Sequence, residues 1–152
     1  AVIKAIGMIQ YHDAAQSLNQ LSLNSKIVEE RLAATIALGK IGHLESIPTL
    51  KILLEDEEPN IRWDSAIALA KMGDHSGNHI ITNLMNRSYF ESFPEVDESE
   101  KNQAMLVAIH IAAQYPDNQF EDQLAIVATS EPNLTIRDAA IKSLKSAYNR
   151  VI

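Results

Sequence analysis

The chain has 152 residues, of which 46% are apolar, and its 20 Asp and Glu against 13 Lys and Arg give a formal net charge of −7. Length and apolar share are typical of a folded domain, while the absence of Cys excludes disulfides and thiolate metal sites. The acidic balance disfavours nucleic acid as a partner, and the apolar runs are too short to cross a bilayer.

The first residues, Ala1-Val2-Ile3-Lys4, lack an initiator Met and any charged-then-apolar leader pattern. We therefore expect a fragment of a longer protein whose start lies upstream and leaves room for a targeting signal. The expected source is a bacterium, and the expected location is the cytoplasm.

An internal repeat is the main feature of the sequence. The segment Glu30–Gly42 recurs 31 residues later as Ile61–Gly73, with Arg, Ile, Ala, Leu, Lys and Gly in register. Parts of it recur at Ala5–Ile9 and at Ile136–Ala140. Because a fixed period of this length is typical of stacked helical units, the whole chain is predicted to be a repeat array.

Each period contains two helical patterns. First helices are predicted at 27–41, 60–72, 101–114 and 134–148, and second helices at about 13–23, 44–54, 79–86 and 120–128. Gly42 and Gly73 stand where a left-handed residue ends a helix, and Pro59 and Pro132 stand just before helices.

The block Arg-x-x-Ala-x-x-Ala-Leu-Gly-Lys-Ile-Gly, followed by Glu45–Asp56, resembles the short HEAT repeats called phycobilisome-lyase HEAT-like. The resemblance implies an all-α fold, a right-handed α-solenoid (α-α superhelix) of four to five hairpins. We expect one domain over 1–152, with repeats at about 1–24, 25–56, 57–87, 100–130 and 131–152 and an insertion at 88–99. The function of such repeats is not fixed by their fold.

A recurring arginine marks the start of three first helices and is predicted to form a structural ion-pair ladder. Its members are Arg31, Arg62, Arg137 and the acid Asp56, which precedes Arg62 suitably. Asn24 stands where Asp56 would be one repeat earlier, which predicts a weaker pair for Arg31. In the fourth repeat, Ala104 takes the arginine position and His110 a small-residue position.

Two sets of residues are candidates for contact with a partner. In the insertion, Tyr89, Phe90 and Phe93 are either interface anchors or a cap on the core, with Asp97 to Glu100 forming the acidic first turn of the next helix. On the second helices, polar side chains that line the concave face of such stacks either hydrogen-bond a partner chain or form a plain solvated face: Asn19, Gln20, Lys51, Thr82 and Asn83.

No catalytic residue is predicted. His75 and His79 have helical metal-ligand spacing beside Asp74, but Gly77 lies between them, so we expect neither a metal site nor a cofactor. The expected function is non-catalytic binding of a partner protein or peptide, with a preference for basic partners. Two alternatives stay open: a subunit or chaperone of a bilin (chromophore) lyase, and a nucleic-acid-modifying HEAT-like protein, which the charge disfavours. Self-association through the open repeat ends at Ala1–Gln10 or Leu134–Ile152 is a further expectation.

Overall fold

The structure, a computed structural model, describes residues 2–152, with side chains from residue 11 onward. These residues form helices, turns and loops without a strand. The chain divides into two compact units, Ala1–Gly77 and Asn78–Ile152. The α-helices are α1 (Val2–Asn24), α2 (Val28–Ile41), α3 (Ile47–Leu53), α4 (Pro59–Lys71), α5 (Asn78–Leu84), α6 (Glu98–Gln114), α7 (Asn118–Ser130) and α8 (Leu134–Ala147).

The predicted alternation of first and second helices is confirmed. First helices correspond to α2, α4, α6 and α8, and second helices to α3, α5, α7 and the C-terminal half of α1. The all-α arrangement of helical hairpins, of the α-solenoid class, is therefore confirmed. The chain departs from the expected pattern in α1, which runs without interruption where the repeat predicts a turn between Ile9 and Asp13.

Local sequence signals end and begin these helices as expected. Gly42 and Gly73 have φ values of 64° and 78°, the left-handed conformation that a glycine adopts without steric cost. Pro59 is the first residue of α4, where its missing N–H removes no helical hydrogen bond. Asp97 and Glu100 form a reciprocal capping box at the start of α6, which confirms the predicted acidic first turn.

Small residues allow close helix packing in the first unit, where α2 contacts both α1 and α4. A Cβ placed on Gly39 would lie 2.9 Å from the Cβ of Ala68. A Cβ on Gly77 would lie 2.6 Å from the Cα of Ala66, too close for any side chain. In the second unit α8 packs against α6 and α7, and α5 contacts the same two helices.

The recurring arginines bind the loops that precede their own helices. Each donates to the carbonyl oxygen of the residue six positions earlier: Arg31 to Ser25 at 3.3 Å, Arg62 to Asp56 at 2.7 Å and Arg137 to Glu131 at 2.8 Å. Ser25 is therefore the counterpart of Asp56, and the alignment on Asn24 was wrong by one residue.

The Asp56 carboxylate does not pair with Arg62, which corrects the expected ion pair. Its Oδ1 lies 3.1 Å from Nη2 of Arg31, the arginine of the preceding repeat, and both side chains are nearly buried. The reason is that the carbonyl of Asp56 already accepts from Arg62, while its carboxylate is turned toward α2.

The burial pattern also corrects the alignment of the fourth repeat. The buried residues Arg31, Ala34, Thr35 and Leu38 of α2 match the buried Met105, Ala108, Ile109 and Ala112 of α6 at one constant spacing. Met105, and not Ala104, therefore takes the arginine position. His110 falls at the place of the half-exposed Ile36 and is itself exposed, so the small-residue assignment was wrong.

Candidate partner-binding cleft

A cleft of about 470 Å³ opens in the second unit beside the insertion. Three parts of the chain form its walls: the 3₁₀-helix Arg87–Ser92, the start of α6, and α7 with the loop that follows it. The lining combines apolar side chains and hydroxyl or amide groups with two cations, Arg87 and Lys101, and three carboxylates, Glu91, Glu98 and Glu131.

Arg87 joins the three walls through one guanidinium group. Its Nε donates to both carboxylate oxygens of Glu131, at 3.1 and 3.2 Å, and its Nη2 lies 2.6 Å from Oε1 of the same residue. Nη1 donates to Glu98 at 2.8 Å, and Nη2 also donates to Asn102 at 2.8 Å. Bidentate contact between guanidinium and carboxylate fixes orientation as well as distance. Arg87 thereby links the 3₁₀-helix Arg87–Ser92 to α6 and to the loop after α7.

Hydrogen bonds and charges within this network shift the pKa values of two of its groups. The hydrogen bond with Glu131, whose side chain is 4% exposed, raises the pKa of Arg87 above its ordinary value. On the other side, the hydrogen bond from Lys101 and the charge of Arg87 lower the pKa of Glu98. Since a buried carboxylate is stable only when paired, Glu131 depends on Arg87.

The open part of the cleft offers groups that suit a peptide. Ile126 is 55% exposed and gives an apolar surface on α7. Gln123 donates to the carbonyl of Met85 at 3.3 Å, and its amide oxygen is an acceptor of the kind that peptide N–H groups use. The exposed Ser88 and Glu91 lie three residues apart on the 3₁₀-helix, so they share one face of it.

The repeat geometry agrees with comparison to known families. The family model of HEAT repeats matches residues 21–88, from the end of α1 to the start of the insertion. Residues 21–88 are HEAT repeats. The resemblance found in the sequence is therefore confirmed.

A relative of this chain is "Uncharacterized phycocyanin operon protein Y" of Pseudanabaena tenuis, which is 38% identical over 55 residues. The alignment covers 36% of this chain and 13% of that protein, so it spans a small part of the relative's length. No solved structure matches the chain. Among the described residues, no helix is long and apolar enough to cross a bilayer.

The three aromatic residues of the insertion form a cluster. The ring centroid of Tyr89 lies 5.7 Å from that of Phe90 and 5.1 Å from that of Phe93. Phe90 is 1% exposed, so it belongs to the core and its prediction as an interface anchor is corrected. Tyr89 and Phe93 are half-buried, and neither lines the cleft. The insertion lines the cleft through Ser88 and Glu91 instead, next to Arg87, which directly precedes it.

Among the polar residues predicted to line a concave face, Gln20 and Lys51 have local partners in the first unit. Gln20 accepts from Asn24 at 2.9 Å on α1, while Asn19 is half-buried there. Lys51 on α3 pairs with Asp74 at 2.8 Å, between its Nζ and the carboxylate Oδ2. Their role in binding a partner stays a prediction.

In the second unit, Thr82 and Asn83 lie on α5. The Thr82 hydroxyl donates to the carbonyl of Asn78 at 3.0 Å, and Asn83 is exposed. Both lie outside the residues that line the cleft. At the C-terminal end, Leu134 is 72% and Val151 83% exposed, whereas the side chains of the predicted Ala1–Gln10 contact lie outside the described residues.

Sequence reasoning missed the residues that matter most in the cleft. Arg87 lies one residue before the expected insertion, and Glu131 lies in a loop between two repeats. A signal was available in the sequence. The arginine position of the fourth repeat holds an apolar residue, so the acid Glu131, which corresponds to Asp56, needs a cation from another part of the chain.

Proposed function

We propose that this chain is a non-catalytic scaffold that binds an extended, basic segment of a partner protein in the cleft of its second unit. The observation that carries the proposal is the cleft of about 470 Å³, with a wall held in place by Arg87. HEAT repeats are platforms for protein interaction, and loops inserted between repeats are often part of their binding face.

The charge of the cleft supports a basic partner. Glu91 is exposed at the rim, and the side chain of Glu98 is 69% exposed. The chain as a whole carries a formal net charge of −7, which speeds the approach of cationic partners. The apolar surface of Ile126 would take an aliphatic or aromatic side chain of the same segment.

The proposal is tested with a substitution that blocks the cleft without loosening the core. We expect Ile126→Lys to abolish capture of the partner when the tagged chain is purified from its native cells and analysed by mass spectrometry. The change removes the apolar surface and adds a charge that repels a basic segment. The residue is 55% exposed, so its replacement leaves the helix packing intact. A circular dichroism melt of the variant should match that of the unsubstituted chain.

The matched control is Leu134→Lys, which adds the same charge at another exposed apolar position of the second unit. Leu134 is 72% exposed, lies in the first turn of α8 and does not line the cleft. Capture should survive this change. Equal capture by both variants would mean that the partner binds elsewhere.

A second candidate is a role in a chromophore-lyase system, as a subunit or chaperone-like partner. Its support is the similarity to a protein whose name places it in a phycocyanin operon. Under this proposal the partner is a phycobiliprotein or its lyase. The absorption spectrum of the purified complex separates the candidates: a bound bilin favours the lyase role, and a pigment-free protein partner favours the scaffold.

A further inference from the structure

Two histidines and a glutamate from two separate segments of the chain meet in the first unit. His12 lies on α1, whereas His43 and Glu45 lie in the turn between α2 and α3. Nδ1 of His12 is 2.8 Å from Oε2 of Glu45, and the centroids of the two imidazole rings are 5.6 Å apart. One possible ligand atom from each of the three side chains lies within 4.8 Å of the others.

The fold presents these groups from a well-defined turn. Gly42, in the left-handed conformation, ends α2, and a short 3₁₀-helix, Leu44–Ser46, follows directly. His43 caps that helix, since its Nδ1 accepts from the backbone N–H of Glu45 at 3.4 Å. This bond leaves Nε2 of His43 as the nitrogen that can bind a ligand. Contact between α1 and the 3₁₀-helix brings His12 to the same place.

The donor set selects a class of ion. Two imidazole nitrogens and one carboxylate oxygen are a common ligand set for zinc, and they also suit nickel, cobalt and copper. Calcium and magnesium prefer oxygen ligands alone. Neighbouring ligands on a tetrahedral ion with bonds of about 2.0–2.1 Å stand about 3.3 Å apart, so rotation of surface side chains closes the remaining distance.

We propose that His12, His43 and Glu45 bind a divalent transition-metal ion of the zinc class. The side chains of His12 and Glu45 are 46% and 62% exposed, so the ion reaches them from solvent and water completes its coordination. The bound ion links α1 to the turn that follows α2. Because it binds the folded chain, its stabilisation of the first unit rises with the logarithm of its concentration above the dissociation constant.

The test is a titration of the whole chain, freed of any polyhistidine tag, with Zn²⁺ by calorimetry and with Co²⁺ by absorption spectroscopy. We expect one ion per chain and a rise of the melting temperature with added Zn²⁺. His12→Ala and Glu45→Gln should each weaken binding at least tenfold and remove the rise in melting temperature. The Gln variant keeps a hydrogen-bonding group of the same size, and equal melting of all chains in a chelator shows that folding is intact.

The matched control is the double change His75→Ala with His79→Ala, which removes two exposed histidines outside the cluster. Binding should be unaffected by it. Zn²⁺ binding that is lost in this control but kept in His12→Ala would overturn the proposal, as would affinity only in the millimolar range. Survival of partner capture in His12→Ala would separate this site from the cleft of the second unit.

Discussion

The loops before α4 and α8 are built alike but obtain their arginine differently. In each, the acid at the start of the loop, Asp56 or Glu131, accepts from the backbone N–H two residues later, at 2.9 and 3.0 Å. Its carbonyl accepts from the arginine of the helix that follows. Its carboxylate binds a second arginine, which is Arg31 in the first unit and Arg87 in the second.

The difference lies in where that second arginine comes from. Arg31 is on α2, at the position that the repeat prescribes, and the hydrogen bond with Asp56 raises its pKa above the ordinary value. Arg87 comes from the segment between repeats, because Met105 fills the equivalent position on α6. The comparison shows that the buried acid needs a cation at a given place in the fold. The residue that supplies this cation can come from different positions in the sequence. The 3₁₀-helix Arg87–Ser92 thus has a structural role and also lines the cleft.

Removal of Arg87 should have the largest effect on the free energy of unfolding. We expect Arg87→Ala to destabilise the chain by about 3–4 kcal/mol, because a carboxylate that is 4% exposed loses its partner. Arg31→Ala should cost about 2–3 kcal/mol, since Asp56 is 12% exposed and closer to water. Urea unfolding measures both. A loss below about 1 kcal/mol for Arg87→Ala would contradict the pairing.

A second test places an arginine at position 105, where the repeat prescribes one, in a chain that lacks Arg87. In the Arg87→Ala background, Met105→Arg should recover about 1–2 kcal/mol, because it offers Glu131 a cation from the direction that Arg31 uses for Asp56. The single change Met105→Arg, with Arg87 still present, should instead destabilise the chain, since a fully buried position then holds a second cation. The same unfolding assay checks both, and a double variant no more stable than Arg87→Ala would refute the equivalence of the two positions.

The ion pair between Lys51 and Asp74 in the first unit is more exposed to solvent and serves as a comparison for the two buried pairs. Burial acts to raise the pKa of Asp74, but hydrogen bonds from Lys51 and Ser76 outweigh it and lower the pKa to about 2. This is below the value of about 4 for an unfolded Asp. The stabilisation is therefore present above pH ~4 and is lost as the pH falls toward ~2.

We expect this pair to contribute about 1 kcal/mol, because the Lys51 side chain is 47% exposed and solvent screens the interaction. Asp74→Asn should lower stability by that amount at neutral pH. The gap to the unsubstituted chain should close as urea unfolding is repeated at progressively lower pH. A gap that stays constant down to pH ~2 would show that the charge of Asp74 is not what stabilises the turn.

The sequence alone determined most helices and their ends, whereas the unbroken α1 differs from the pattern that the repeat predicts. Spacing of Ala and Leu, the left-handed glycines Gly42 and Gly73, and Pro59 at the start of α4 act within a few residues, so their effects are legible without the fold. The same local signals were too periodic to fix the register of every repeat. They left a one-residue ambiguity at Ser25, which the hydrogen bond from Arg31 resolved, and at Met105, which burial resolved.

Only the tertiary structure decided which side chains meet. Asp56 binds Arg31 rather than Arg62, Phe90 enters the core, and Arg87 reaches Glu131 across 44 residues of sequence. The cluster of His12 and His43 with Glu45 likewise depends on how α1 contacts the turn after α2. Such contacts are set by the packing of whole helices. A local pattern states which face of a helix is buried, but the neighbour it is buried against is chosen by the assembled fold.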